Sequence, residues 1–274
     1  MESPNGIIAL LTDFGERDYY VAAMKGTIYG IFPNAKIVDI SHRIEKFDIV
    51  GGAFVLWKAA ESFPRGTVYL GVVDPTVGGP RDRIVVETER SLFVGPDNGL
   101  LWLASRAEGV EAIFGIENEA YFSPGGSRTF EGRDVFASVA AHLASGIPPE
   151  ALGRKRAKME ELNLGQPKVG DGAIECEVIY VDDFGNAITN LEGGVAKGLI
   201  GVGSMVRLWA KSLEAEVKFG STYASVGEGE ALLLVGSHGN LEVAVRGGSA
   251  SAEFGIGRGD RIRISWSSGS GSDR

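Results

Sequence analysis

Cysteine occurs once in the 274 residues and histidine three times. A lone Cys176 excludes an intrachain disulfide framework and any multi-cysteine metal site. Its neighbours Glu175, Glu177, Val178 and Ile179 read as a strand, so the thiol is expected to be packed and inert. No apolar run approaches the ~20 residues that span a bilayer as a helix. Met1-Glu2-Ser3-Pro4 has neither the basic start nor the apolar stretch of a signal peptide, and a soluble cytoplasmic protein without a membrane partner is expected. Positive charge is also scarce: 27 Lys and Arg face 36 Asp and Glu, a formal net charge of −9. That sign gives no general attraction for nucleic acid or anionic lipid. Neither G-x-G-x-x-G nor a Walker sequence is present, so a ligand need not carry phosphate. No cluster of metal ligands is recognisable, and no metal is expected.

What the chain does have is ordinary globular composition, 44% hydrophobic and 23% charged, at a length that suits two domains. Ile7 to Leu11 is a continuous apolar run, the mark of a strand buried on both faces. Helical spacing follows over Tyr20 to Phe32 and stops at Pro33. Ile37 to Ile40 reads as a strand, Ile49 to Phe63 as a helix and Val68 to Val73 as a third strand. Ile84 to Val86 and Leu92 to Val94 are further strands, and Asn98 to Arg106 and Asp134 to Ala144 further helices. This alternation predicts an α/β domain over 1–165 with a mostly parallel sheet covered on both faces.

The pattern changes after Gly146. Residues 147–169 read as a connector, and short glycine-punctuated β segments follow from Ala173 to Trp266. A smaller all-β, barrel-like domain over 166–274 is expected. The polar tail Ser267 to Arg274 is expected to be mobile.

In open α/β sheets ligands bind beyond the carboxyl ends of the strands. Asp13 and Asp74 fall there, after the first and third strands, and Asp39 lies within the second. A carboxylate in the position of Asp13 suits a ribose diol, and a turn or helix N-cap aspartate fits the same residues. Val73-Asp74-Pro75-Thr76-Val77-Gly78-Gly79-Pro80-Arg81 is a fixed loop that an Asp74–Arg81 ion pair can close, whether for chemistry or as a clamp. In the second half, Asp182-Asp183-Phe184-Gly185-Asn186 and Ser237-His238-Gly239-Asn240-Leu241-Glu242 are polar turns, each weak alone.

Together, these motifs resemble the S-adenosylmethionine (SAM) hydrolase (adenosine-forming) family, once called hydroxide adenosyltransferases and related to fluorinases and chlorinases. The likeness runs from about Ile7 to Ile264. It rests on Leu11-Thr12-Asp13-Phe14-Gly15, Val73-Asp74-Pro75 with Arg81, Gly95-Pro96-Asp97-Asn98-Gly99-Leu100, Thr129-Phe130 with Gly132-Arg133-Asp134, Asp182 with Phe184-Gly185-Asn186, and Ser237 with Glu242. The resemblance implies a homotrimer with sites between the first domain of one subunit and the second domain of its neighbour. SAM is then the substrate and no cofactor is implied.

By the same resemblance Asp13 binds the ribose hydroxyls, and Asp182, Asn186 and Tyr223 hold adenine and the methionine end, with the Tyr223 ring stacked on the base. Ser237 and Glu242 receive the amino-acid portion, with Glu242 meeting its ammonium. The family's reactive groups are Asp, Arg and His; Asp74 and Arg81 match the first two. The third differs, because the usual Thr-Phe-His-Gly-Arg-Asp stands here as Thr129-Phe130-Glu131-Gly132-Arg133-Asp134. Glu131 can pair with Arg81 or take a proton, at an unperturbed pKa of roughly 4.3 against 6.5 for His. Hydrolysis of SAM to adenosine and methionine is the implied activity. A catalytically weak SAM-binding protein or sensor is the alternative that Glu131 raises, and a halogenase a further one that the Asp74 carboxylate opposes. His142 is expected to be packed in a helix, and His42 and His238 to lie in loops, His238 bordering the ligand motif.

Overall fold

The computed structural model describes residues 3–127, 129–170, 172–211 and 213–266. The expected mobile tail Ser267 to Arg274 lies outside them. The chain divides into two compact units, Met1–Leu162 and Asn163–Arg274.

In the first unit the elements run β1 (Ile7–Thr12), α1 (Tyr20–Ile31), β2 (Lys36–Ser41), α2 (Ile49–Ala60), β3 (Val68–Val72), β4 (Arg83–Thr88), β5 (Leu92–Pro96), α3 (Trp102–Glu108), β6 (Val110–Gly115), α4 (Ser138–Ala144) and β7 (Lys155–Arg156). The sheet order is β2-β1-β3-β5-β4-β6-β7. Strands β2, β1, β3 and β5 are parallel, and β4, β6 and β7 extend the sheet antiparallel. The apolar run of β1 is explained by its two faces. Ile8 and Leu10 join a core with Met24, Ile28, Phe136 and Val139, while Ala9 and Leu11 join another with Leu56, Tyr69, Phe93 and Leu101. The Asp48 carboxylate caps α2 by accepting from the Gly51 N–H. Gly52 lets α2 lie close on the sheet, since a Cβ there would stand 2.9 Å from Leu100.

The second unit contains β8 (Lys168–Gly170), β9 (Ala173–Val181), β10 (Ala187–Glu192), α5 (Gly193–Leu199), β11 (Met205–Ala210), β12 (Leu213–Phe219), β13 (Ala231–Val235), β14 (Asn240–Val245), α6 (Ala250–Phe254) and β15 (Arg261–Ser265). The order β10-β14-β13-β12-β11-β15-β9 is closed by pairing of β10 with β9, and β8 adds to β9 outside the ring. The result is a seven-stranded barrel. Its core holds Ile174, Val178, Leu208, Phe219, Leu233, Leu241 and Phe254. Cys176 is buried here and desolvation raises its thiol to about 12, so it is a packing residue.

Candidate active site

Thr12 of β1 lies in register with Val72 of β3, so Asp13 and Asp74 leave neighbouring parallel strands at the same edge of the sheet. Asp13 is buried. Its Oδ2 accepts from the Phe47 N–H at 2.9 Å, and its backbone carbonyl accepts from Lys46 Nζ. No described residue donates to Oδ1. Phe47 holds a left-handed backbone conformation at φ +66°, unusual for a bulky residue, and the residue is 64% exposed.

Asp74 closes its own loop, its Oδ1 accepting from the Thr76 N–H at 3.1 Å and the Thr76 hydroxyl at 3.2 Å. Its Oδ2 takes two hydrogen bonds from Arg81, from Nε at 2.9 Å and Nη2 at 2.5 Å. Arg81 Nη2 also donates to Glu131 Oε2, and Glu131 Oε1 faces Arg83 Nη1 at 3.7 Å. Asp74 and Glu131 are buried, and the Arg81 side chain is 9% exposed. Burial works against the charge of Arg81, but the hydrogen bonds and charges of Asp74 and Glu131 outweigh it and raise its pKa. No described residue accepts from Arg81 Nη1, which is the guanidinium's donor for a further group.

Glu131 enters one turn of π-helix, Gly132–Ala137, that precedes α4. Such turns recur at functional sites because they re-aim side chains within a helix. Gly132 admits the Phe14 ring, for a Cβ there would lie 3.2 Å from it. Phe14 and Phe130 meet edge to face, so the Asp13 turn and the Glu131 segment pack together. Asp134 ties down the approach to this turn: it accepts from Arg133 Nε at 2.6 Å and from the Ser127 N–H at 2.7 Å.

In the second unit four of the expected residues form one hydrogen-bonded chain. Asp182 Oδ1 accepts from the Phe184 and Asn186 N–H groups at 3.0 and 2.9 Å, and Oδ2 accepts from Asn186 Nδ2 at 2.9 Å. Asn186 Nδ2 also reaches the Tyr223 hydroxyl at 3.5 Å, which donates to Glu242 Oε1 at 2.6 Å. Burial and the adjacent Glu242 carboxylate raise the Tyr223 pKa, so the phenol is a donor. The Asn240 N–H donates to His238 Nδ1, which assigns the ring proton to Nε2, and Nε2 donates to Glu242 Oε2 at 2.7 Å. Gly236 makes room for that bond, since its Cβ would collide with both partners.

Glu242 is thus buried with both oxygens engaged inside the unit. Ser237 lies exposed beside it in the β13–β14 turn. Phe184, which motif reading passed over as a site residue, is 80% exposed at the tip of the Asp182 turn. Gly185 beside it has φ +81°, and a Cβ there would overlap Ser249. The signals for Phe47 and Phe184 are three-dimensional: each is an exposed ring fixed to a site carboxylate by its own N–H. His142 packs edge to face on Tyr121, and burial lowers its pKa. Among the described residues no group of three or more His, Cys, Asp and Glu side chains has a metal-binding arrangement, and no helix is long and apolar enough to cross a membrane.

Two family models match the chain, the SAM hydroxide adenosyltransferase N-terminal domain over residues 8–153 and the C-terminal domain over residues 176–263. The (R)-S-adenosyl-L-methionine hydrolase of Thermus thermophilus is 38% identical over 94% of this chain and 98% of its own length. That of Salinispora tropica is 36% identical over 96% of this chain and 98% of its own. A fluorinase from Actinoplanes is more distant, 26% identical over 88% of this chain and 91% of its own. The crystal structure of an uncharacterized conserved protein from Thermotoga maritima superposes with a TM-score of 0.90 at 38% identity, covering 94% of this chain and 100% of that one. With both halves matched and the Asp13, Asp74–Arg81 and Asp182–Asn186 motifs in place, the chain belongs to the SAM hydroxide adenosyltransferase family.

Proposed function

We propose that the protein hydrolyses SAM to adenosine and L-methionine by attack of water or hydroxide at the ribose 5′ carbon. The observation that carries this reading is the buried Asp74–Arg81–Glu131 cluster at the same sheet edge as Asp13. The free Oδ1 of Asp13 suits the ribose diol, and charged acceptors bind hydroxyls strongly. Arg81 Nη1 is placed to hold the incoming oxygen, with Asp74 fixing the plane of the guanidinium. A bond forms from that oxygen to C5′ while the C5′–S bond breaks and its electron pair goes to sulfur. Methionine leaves as a neutral thioether and needs no acid. The proton of the attacking water goes to Glu131. Positive charge on sulfur is cancelled as the transition state forms, which a site poor in water favours.

The cluster of the second unit takes the remainder of the substrate. The Tyr223 ring is fixed at its hydroxyl and 44% exposed, and Phe184 is exposed beside Asp182, so both offer a face to the adenine. Asn186 spends its amide hydrogens on Asp182 and Tyr223, which turns its carbonyl outward as an acceptor. Ser237 serves the amino-acid end. The burial of Glu242 supports a role in holding Tyr223 and His238 rather than in meeting the ammonium itself. In this reading the protein is a homotrimer, with the first unit of one subunit facing the second unit of its neighbour, and it works in the cytoplasm.

A SAM-binding protein without turnover is the second reading, favoured by one observation: Glu131 is engaged by Arg81 and is not the family's imidazole. Incubation of pure protein with SAM decides between them. Adenosine and methionine released in equal amounts support hydrolysis, whereas binding without release supports the sensor. A halogenase is opposed by the Asp74 carboxylate in the site and by the direct Thr88-Glu89-Arg90-Ser91 connection into β5, where the related fluorinases carry an extra loop.

A further inference from the structure

Behind Asp13 lies a second set of polar groups, buried at Thr12 and His42 and half-exposed at Asp39, that the reaction does not use. Thr12 is fully buried, and its hydroxyl stands 2.9 Å from His42 Nδ1. His42 Nε2 stands 3.0 Å from Asp39 Oδ1, and Asp39 Oδ2 accepts from Lys25 Nζ at 2.6 Å. The network assigns the protons. The Asp39 carboxylate can only accept, so the imidazole carries its proton on Nε2 toward it, and Nδ1 accepts from the Thr12 hydroxyl, whose oxygen also accepts from the Phe14 N–H at 3.2 Å. Burial would push the Asp39 carboxyl up, but the hydrogen bonds from Lys25 and His42 outweigh it, and the group is held below its ordinary value, as a carboxylate.

The relay joins two loops. Beyond the Thr12–His42 bond, the Gly15 N–H donates to the His42 carbonyl at 2.7 Å, Lys46 reaches the Asp13 carbonyl, and the Phe47 N–H holds Asp13 Oδ2. The Asp13 carboxylate is therefore aimed by the segment 42–47, and His42 is the only ring in that segment hydrogen-bonded to the end of β1. We propose that Thr12, His42 and Asp39 are positioning residues for Asp13: they fix the turn so that Asp13 Oδ1 faces the substrate, and they act on binding rather than on bond breaking. This rests on reading Asp13 as the acceptor of the ribose diol. The Asp39 carboxylate, in turn, selects the imidazole tautomer that can accept from Thr12.

The test uses Thr12→Val, which keeps the shape and removes the hydroxyl with both its hydrogen bonds, Thr12→Ser, which restores it, and Asp39→Asn at a half-exposed site. An amide at position 39 can donate to Nε2, which would move the ring proton to Nδ1 and leave the buried Thr12 hydroxyl proton without its acceptor. Asp13→Ala is the reference. Affinity for adenosine is read by calorimetry, and KM and kcat for SAM by adenosine release. Asp39→Asn should weaken adenosine binding and raise KM about three- to tenfold, the effect of losing one neutral hydrogen bond, and Thr12→Val, which also frees the Phe14 N–H, at least as much, with kcat within about twofold and Thr12→Ser near the parent. If Asp13→Ala weakens adenosine while both relay variants bind like the parent, the relay has no positioning role and the reading of Asp13 stands. If Asp13→Ala itself leaves adenosine binding unchanged, the ribose reading fails and the relay proposal with it. Should Thr12→Val not fold, Asp39→Asn and Thr12→Ser carry the same comparison, and an Asp39→Asn protein with parental affinity overturns the proposal.

Discussion

Glu131 shares with Asp74 a single amino group of Arg81: Nη2 donates to Glu131 Oε2 and to Asp74 Oδ2. The two carboxylates are held together by one cation, and the second oxygen of Glu131 is left toward Arg83. This arrangement makes Glu131 a candidate base and a candidate clamp at once. As a base, it is replaced by Glu131→Gln with a shape match that cannot take a proton, and kcat should fall about 100-fold, the lower range for general base catalysis. Glu131→His should keep or raise turnover. Steady-state kinetics of the two variants check this, and unchanged kcat in the Gln variant would make Glu131 a clamp only.

Binding and chemistry should separate along the sheet edge. Asp13→Ala removes acceptors for the ribose diol and should weaken SAM binding by about 1.5–3 kcal/mol, with little change in kcat. Asp74→Ala and Arg81→Ala should lower kcat with affinity less affected. Calorimetric affinity and saturated turnover for the three variants provide the check. Equal losses of affinity with full turnover at saturation would contradict the assigned roles.

Phe47 and Phe184 are 64% and 80% exposed in the single chain, large apolar surfaces for rings fixed beside carboxylates. In the proposed trimer they face substrate and the neighbouring subunit. Light scattering at working concentration should give three times the 29.0 kDa chain mass. An active monomer would contradict a site assembled from neighbouring chains.

Asp134 offers a pH signature. The Arg133 hydrogen bond lowers its pKa against a partial opposing effect of burial, so the carboxylate stabilises the folded state. For a lowered value, that contribution is fully present above the unfolded pKa of roughly 3.9 and fades as pH falls through the lower folded value. Asp134→Asn should destabilise by about 2 kcal/mol near neutral pH. Thermal melts from pH 7 downward should show a constant gap to the parent until about pH 4, then a closing one. A gap that persists at acid pH would show that the charge is not the source.

The parallel half of the sheet was legible because β1, β3 and β5 are apolar on both faces and end at Asp13, Asp74 and the Pro96-Asp97-Asn98 turn. In the antiparallel half only β4 was, from Ile84 to Val86. Sequence reading missed β6 (Val110–Gly115), whose first residues are exposed and polar in part, and treated Lys155–Arg156 and Lys168–Gly170 as connector because strands that short carry no period. It likewise missed β10 and β12, which hold Asn190 and a Glu-Ala-Glu stretch where a barrel tolerates polar outward residues. The continuous helix expected from Asp134 is a π turn followed by α4, because the register shift is invisible in hydrophobic spacing. At the site, the Asp74–Arg81 pair was foreseeable from loop composition. The closure of Glu242 on Tyr223 and His238 was not, since it depends on the pairing of β13 with β14 and on the bare backbone of Gly236.

In the proposed reaction solvent oxygen attacks C5′ of SAM. Reaction in isotopically labelled water followed by mass spectrometry of the products tests it most directly. Adenosine should carry one labelled oxygen, located in the 5′ hydroxyl, with unlabelled methionine in equal amount. Label absent from adenosine, label in methionine, or a 5′-chloro product in the presence of chloride would contradict it.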